Sequence, residues 1–319
     1  MKRLLLAALF ASLALPAFAQ TQFPNRPIRW IVGFAPGGVG DTTARLVGQK
    51  LSESLGQPVV IENRPSAGGI LASETVARAA PDGHTLLLVT ATAATAPHLF
   101  RTLPYHPIDD FTFVSQIASF PHAIVVAANS PHRTLQDLMA ASRANPGRTN
   151  LGSVSVGTAL HLSLELFRSM GNLPVEIVTY RSTGELLNAT ATGEVQAAME
   201  VAATTLGQIA GGRLRALAVT SATRVGVLPD VPTVAESGLP DYRVITWNGM
   251  AAPRGTPRPI IDRLNAEVHR IMAMPDIRER LAPLAVDPAP GTPEALRQLL
   301  VDETELWGRV IGAARIERQ

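Results

Sequence analysis

A two-lobed α/β fold with mostly parallel sheets is what this sequence predicts, and three observations carry it. Short β-branched runs alternate with amphipathic stretches from Ile28 to Ala251, and such alternation builds βα units. Gly, Pro and Asn breakers fall between the periodic stretches, as at Gly56-Gln57-Pro58, Pro81-Asp82-Gly83 and Asn145-Pro146-Gly147. Midway, FTFVSQIASF and PHAIVVAANS follow one another with no helical stretch between them. A chain that leaves one sheet and enters the next without a crossover helix marks a passage between lobes.

The elements follow in order. Lys2 and Arg3 precede an apolar run over 4–15, and Ala17-Phe18-Ala19 gives an A-x-A site before Gln20. Residues 1–19 therefore read as a secretory signal peptide cleaved near Ala19. The run is shorter than the ~20 residues that span a bilayer, so a soluble periplasmic protein is expected after cleavage. Loss of Lys2 and Arg3 leaves basic and acidic side chains balanced at 26 each, which gives a nucleic-acid partner no footing. The absence of cysteine excludes disulfides, thiolate metal sites and a cysteine nucleophile. The spacing then predicts strands over 28–34, 58–62, 85–90, 113–118, 123–128, 150–154, 175–180, 197–201, 214–220 and 243–251. Helices are expected over 42–55, 70–79, 134–144, 159–170, 185–192 and 204–210, with only helices (259–274, 276–284, 292–316) after Pro253. The small-residue tract over 90–96 reads as a loop. The lobes divide as 20–121 with 225–319, and 122–224.

Two stretches share one design, a strand running into a glycine-rich turn and then a helix. The first is Phe34-Ala35-Pro36-Gly37-Gly38-Val39-Gly40-Asp41. Its glycines admit positive φ and let backbone N–H groups approach a ligand, and the helix start favours an anion. Asp41 reads either as a helix cap or as an acceptor for a ligand N–H. The second is Gly152-Ser153-Val154-Ser155-Val156-Gly157-Thr158, where Ser153, Ser155 and Thr158 add hydroxyls. His161, one helical turn on, is either a packed capping residue or a base. In a third stretch Tyr180 and Arg181 meet a helix start and Glu200 ends a strand; Arg181 either pairs with a carboxylate or points to solvent. Trp247 either walls the gap or fills the hinge.

Neither serine has the G-x-S-x-G spacing of a hydrolase elbow, and no histidine pair has metal-binding spacing on a helix. Gly38-x-Gly40-x-x-Thr43 with Glu62 is a near-match to a dinucleotide fingerprint, but Thr43 replaces its third glycine. No cofactor is expected. The contrasting reading is an exported α/β enzyme using His161, Glu200 or Asp41 as acid–base groups. Two anion seats facing each other across a hinge instead describe a clamshell that closes on a small anion.

The chain resembles the Bug family, the TctC-like substrate-binding proteins of tripartite tricarboxylate transporters. The resemblance is carried by Phe34-Ala35-Pro36-Gly37-Gly38-x-x-Asp41, Val60-Ile61-Glu62-Asn63-Arg64-Pro65-x-Ala67-Gly68-Gly69 and Pro81-Asp82-Gly83-His84-Thr85-Leu86-Leu87. Leu214-Arg215-Ala216-Leu217-Ala218-Val219-Thr220 and Leu228-Pro229-Asp230-Val231-Pro232-Thr233 continue it. It implies a type II periplasmic binding fold, a Venus flytrap with an interdomain cleft, and no enzymatic activity. Its ligand would be a small carboxylate: an amino acid, a dicarboxylate, a tricarboxylate or an aromatic acid. Delivery would be to TctA/TctB-like membrane subunits, or alternatively to a sensor kinase, by a monomeric receptor. By position, the contacts would be Phe34, Ala35, Gly37, Gly38 and Asp41, with Thr90, Ala91 and Thr92 near them. The second lobe would supply Ser153, Ser155, Gly157, Thr158, His161, Tyr180 and Glu200. Relatives usually carry Gly where Ser155 stands, Gly where Ser182 stands and Asp where Glu200 stands. These departures suggest a ligand with a basic or hydroxyl group.

Overall fold

A computed structural model describes residues 23–318; the signal-peptide segment 1–19 lies outside them. The chain runs β1 (Ile28–Val32), α1 (Val39–Leu55), β2 (Val59–Asn63), α2 (Ile70–Ala77), β3 (Thr85–Thr90) and α3 (Thr92–Leu99). After β4 (Phe111–Ala127) come α4 (Leu135–Ala144), β5 (Asn150–Val154), α5 (Ala159–Met170), β6 (Glu176–Tyr180) and α6 (Thr183–Thr192). Then follow β7 (Ala197–Val201), α7 (Ala202–Ala210), β8 (Leu214–Val219) and β9 (Ile245–Pro253). The chain closes with α8 (Arg258–Met272), α9 (Pro275–Leu281), β10 (Asp287–Pro288) and α10 (Pro293–Ala313).

The two apolar runs at the middle form one 17-residue strand, β4, about 50 Å long at the usual rise per residue. Its first part, to Pro121, pairs antiparallel with β9, which in turn pairs with β3. From His122 onward it pairs with β7 and β8. Proline has no N–H to give a ladder, and the change of partner falls at Pro121. The crossing is tied by Thr220, whose Oγ1 accepts from the His122 N–H at 2.9 Å and whose N–H donates to the His122 carbonyl at 3.0 Å. Elsewhere the sheets are parallel: β2-β1-β3 in the first, and β7-β5-β6 in the second.

Three apolar clusters hold these layers. One lies between the first sheet and α1 and α8, around Trp30, Leu86, Leu88 and Leu264. Another packs α6 and α7 on the second sheet, around Ala123, Val125 and Leu186. The largest joins α3, α5 and α10 across both sheets and takes in Trp247, Trp307 and Tyr242. Trp247 is thus packed in the core, where it fills the strand that returns to the first sheet. Val225 and Leu228 pack in the cluster of the second sheet, and Tyr242 donates to the Ser163 carbonyl of α5 at 2.9 Å.

Two expectations need correction. The tract over 90–96 is not a loop: α3 begins at Thr92, because alanine is the best helix former and α3 has α10 to pack against. Strands do not end at Pro253 either, since Asp287 and Pro288 pair with Ser119 and Ala118 of β4.

Candidate functional site

The first turn is held by Asp41. It is the third residue of α1 and almost wholly buried. Its carboxylate accepts from the Gly37 N–H at 3.0 Å, from Arg45 at 2.9 and 3.0 Å, and from Asn63 Nδ2 at 2.8 Å. Burial pushes this carboxyl up, but the bonds from Arg45, Asn63 and Gly37 outweigh it and hold the group below its ordinary range. With both oxygens occupied, Asp41 shapes the turn and has no free face for a ligand N–H. It is also not the N-cap, which is Gly38, a residue without a side chain to cap α1. The first N–H groups of α1 therefore have no intrahelical or side-chain acceptor. Ala35, Gly37 and Gly38 are exposed there, and Gly37 takes φ +94°.

Phe34, Thr90 and Thr92 come together around one recess of about 10 Å³ with Gly68, Gly69 and Ser73, room for a single water. The Thr90 and Thr92 hydroxyls bond to each other at 2.8 Å, and Ala91, the N-cap of α3, is buried. Gly33 belongs to this wall. A Cβ on it would stand 2.9 Å from the Gly69 Cα, so the turns after β1 and β2 meet backbone to backbone. Gly33→Ala is expected to cost about 2 kcal/mol of stability by overpacking and to weaken ligand binding. Urea denaturation and calorimetric titration would check both effects.

The second turn reaches across to α3. Gly157 (φ +81°) lies against Leu99, where a Cβ would stand 2.9 Å from Leu99 Cδ1. Ser153 is fully buried and its hydroxyl has no partner. Thr158 caps α5: it accepts from the His161 N–H at 3.3 Å and donates to the Val154 carbonyl at 2.9 Å. Its hydroxyl is thereby committed, as is His161 Nδ1, which accepts from the Gly157 N–H at 3.3 Å. Burial, aided by Arg168, holds the His161 imidazole below its usual range, so it is neutral at pH 7 and shapes the turn. Ser155 is exposed at φ +24°, in the left-handed region where a glycine rests without strain.

The third group divides. Glu200 is buried and accepts from Thr183 Oγ1 and the Val201 N–H, each at 2.8 Å. Burial pushes its carboxyl up against those bonds, and no cation pairs with it among the described residues. Tyr180 instead gives its hydroxyl to Glu194 at 2.8 Å, and burial with that contact pushes the phenol up to about 12. Ser182 caps α6 through the Glu185 N–H. Arg181 is exposed, its guanidinium without an ion pair among the described residues. Ser155 and Ser182 thus do not add hydroxyls to a buried chamber, and the polar departure that remains is Glu200. Glu62 holds Arg29 at 2.6 and 2.8 Å, which takes away the acid that a dinucleotide ribose would need. No group of three or more metal-ligating side chains occurs among the described residues.

Sequence reasoning missed Gly33, Gly68, Gly69, Ser73 and Asn248. The glycine pair stood inside a motif, whereas Asn248 was the one polar residue in the apolar end of a strand.

Two sheets sharing a strand, each presenting a glycine turn ahead of a helix, define a two-lobed periplasmic binding protein of type II. The chain belongs to the tripartite tricarboxylate transporter receptor family, TctC, whose model matches residues 43–316. A Pseudomonas sp. protein from the tcbD-tcbE intergenic region is 40% identical over 295 residues, 92% of this chain and 88% of the relative. Protein BugT of Bordetella pertussis is 34% identical over 303 residues, 94% of this chain and 93% of BugT. Among solved structures, R. palustris Rpa4515 with adipate has a TM-score of 0.80 at 32% identity, covering 93% of this chain and all of that one. MatC (Rpa3494) from Rhodopseudomonas palustris with bound malate has a TM-score of 0.75 at 35% identity, covering 91% of this chain and 100% of that one.

Proposed function

We infer that this protein is a periplasmic receptor that closes its two lobes over a small carboxylate and delivers it to the membrane subunits of a tripartite tricarboxylate-type transporter. One observation carries the reading: Phe34, just before the uncapped start of α1, shares a recess with Thr90 and Thr92, and the Gly157 turn packs on Leu99 at the other end of α3. Backbone N–H groups at a helix start offset the desolvation of a carboxylate without a charged side chain. Ala35, Gly37, Gly38 and the hydroxyls of Thr92 and Ser153 are the contacts this arrangement favours. Asp41, Thr158 and His161 hold the turns. The adipate and malate held by two relatives support a dicarboxylate-sized ligand.

The hinge crossings fall at Pro121 and, on the return, between Val244 and Ile245. The second lobe then keeps residues 225–244, in line with the packing of Val225, Leu228 and Tyr242. No described helix is long and apolar enough to cross a membrane, and the N-terminal segment supplies the export signal.

The test is a titration of the mature protein with a carboxylate panel, followed by recovery of the ligand. A receptor shows a rise in Tm set by mass action and returns its ligand unchanged. Turnover would move the assignment to an enzyme, and no response at millimolar carboxylate would overturn it. Within that test, Asp41→Ala is expected to lose about 2–3 kcal/mol of stability, because the Gly37 N–H loses its acceptor and Arg45 and Asn63 keep only their bonds to each other and to the Phe34 carbonyl. Its affinity should fall at least about tenfold, since the N–H groups of α1 lose their register.

A further inference from the structure

Asn248, near the start of β9, is fully buried, and neither its Nδ2 nor its Oδ1 has a hydrogen-bond partner. A carboxamide unpaired at both ends in an interior is costly, and such groups mark places where something else binds. Its neighbours on the strand pack ordinarily: Trp247 and Ala251 enter one cluster, Met250 and Ala252 another. Alternation puts Asn248 on the face of Met250 and Ala252, the face that α1 and α8 cover.

Its place on that face is fixed by β3. Thr90 is its cross-strand partner. Leu88, two residues back on the same face, lies beneath the first turn of α1, where a Cβ on Gly40 would stand 3.4 Å from Leu88 Cδ2. Asn248 therefore sits beside Thr90 at the end of the sheet, under the uncapped start of α1.

We propose that Asn248 is a specificity-determining residue that selects carboxylates bearing a hydroxyl or amino group on the adjacent carbon over their unsubstituted parents. This rests on the receptor reading above. Nδ2 donates to a carboxylate oxygen while Oδ1 accepts from the neighbouring O–H or N–H, a two-point contact matched to both unpaired atoms. An unsubstituted acid satisfies only Nδ2 and leaves Oδ1 buried and unpaired.

The experiment is calorimetric titration of the mature protein and of Asn248→Leu with matched pairs, succinate against malate and glutarate against glutamate. Leucine has nearly the same size and removes two unpaired groups, so it should fold at least as well; near-UV circular dichroism checks this. The wild type is expected to bind the substituted member of at least one pair about tenfold tighter or more. Asn248→Leu should bring that ratio to about threefold or less, because the substituted acid loses two contacts where its parent loses one. A preference that survives in Asn248→Leu, or no preference in the wild type, overturns the assignment of Asn248. Binding of no carboxylate in any pair overturns the receptor reading itself.

Discussion

Glu303→Gln is expected to stabilise the protein at pH 8 by about 3 kcal/mol and to change little at pH 4. Glu303 lies on α10 between Trp247 and Trp307, beside a cavity of about 270 Å³ lined also by Thr220, Arg243 and Val244. Burial pushes its carboxyl up to about 7, against the two indole N–H groups that favour the charged form. Its Oε2 has no partner within hydrogen-bond distance. In the unfolded chain the same group ionises near 4.5. Between these values the folded state holds a proton that the unfolded state has lost, so stability falls as pH rises through this window and levels off above 7. Each pH unit of the window is worth about 1.4 kcal/mol. Glutamine carries no charge at any pH and removes the decline. Urea midpoints at pH 5 and pH 8 measure it: equal changes in the two proteins would show that Glu303 is not the group that titrates.

The contrast between Glu303 and the turn at Gly37 shows what the sequence makes legible. Strands β1 and β3 stand out because apolar, partly β-branched runs end in turns, and those cues are local. The passage at Pro121 was legible because no helical period separates the runs on either side. The glycine turns were legible as junctions of a strand with a helix start because glycine spacing and helix onset are also local. Long-range partners were not. Asp41 reads as a cap or a ligand contact until Asn63 and Arg45 are seen to fill its oxygens. Tyr180 reads as a cleft residue until Glu194 claims its hydroxyl. Asn248 carries no sequence signal of an unpaired amide, because pairing depends on what β3 and α1 place around it. The α3 error has the same origin: Ala-rich composition suits both loop and helix, and the packing of α10 decides.

His122→Gln should act on the opposite limb. His122 is fully buried where β4 changes partner, with Nε2 2.6 Å from Thr246 Oγ1 and Nδ1 unpaired. Burial presses its imidazole down to about 3 from an ordinary 6.5. Here the unfolded state binds the proton first, so the contribution is whole above 6.5 and is lost as pH falls toward 3. By pH 4 the wild type should have lost about 3 kcal/mol through this group alone, while His122→Gln, which keeps a polar contact for Thr246, should not. Between pH 4.5 and 6.5 the His122 and Glu303 contributions run in opposite directions, so in the wild type each offsets the other. Each single variant then uncovers the other group: Glu303→Gln gains stability with rising pH across that interval, and His122→Gln loses it. The double variant should show the sum of the two single-variant changes at every pH if the two sites act independently. Parallel curves for wild type and His122→Gln from pH 7.5 down to pH 4 would rule out the crossing as the origin of acid sensitivity.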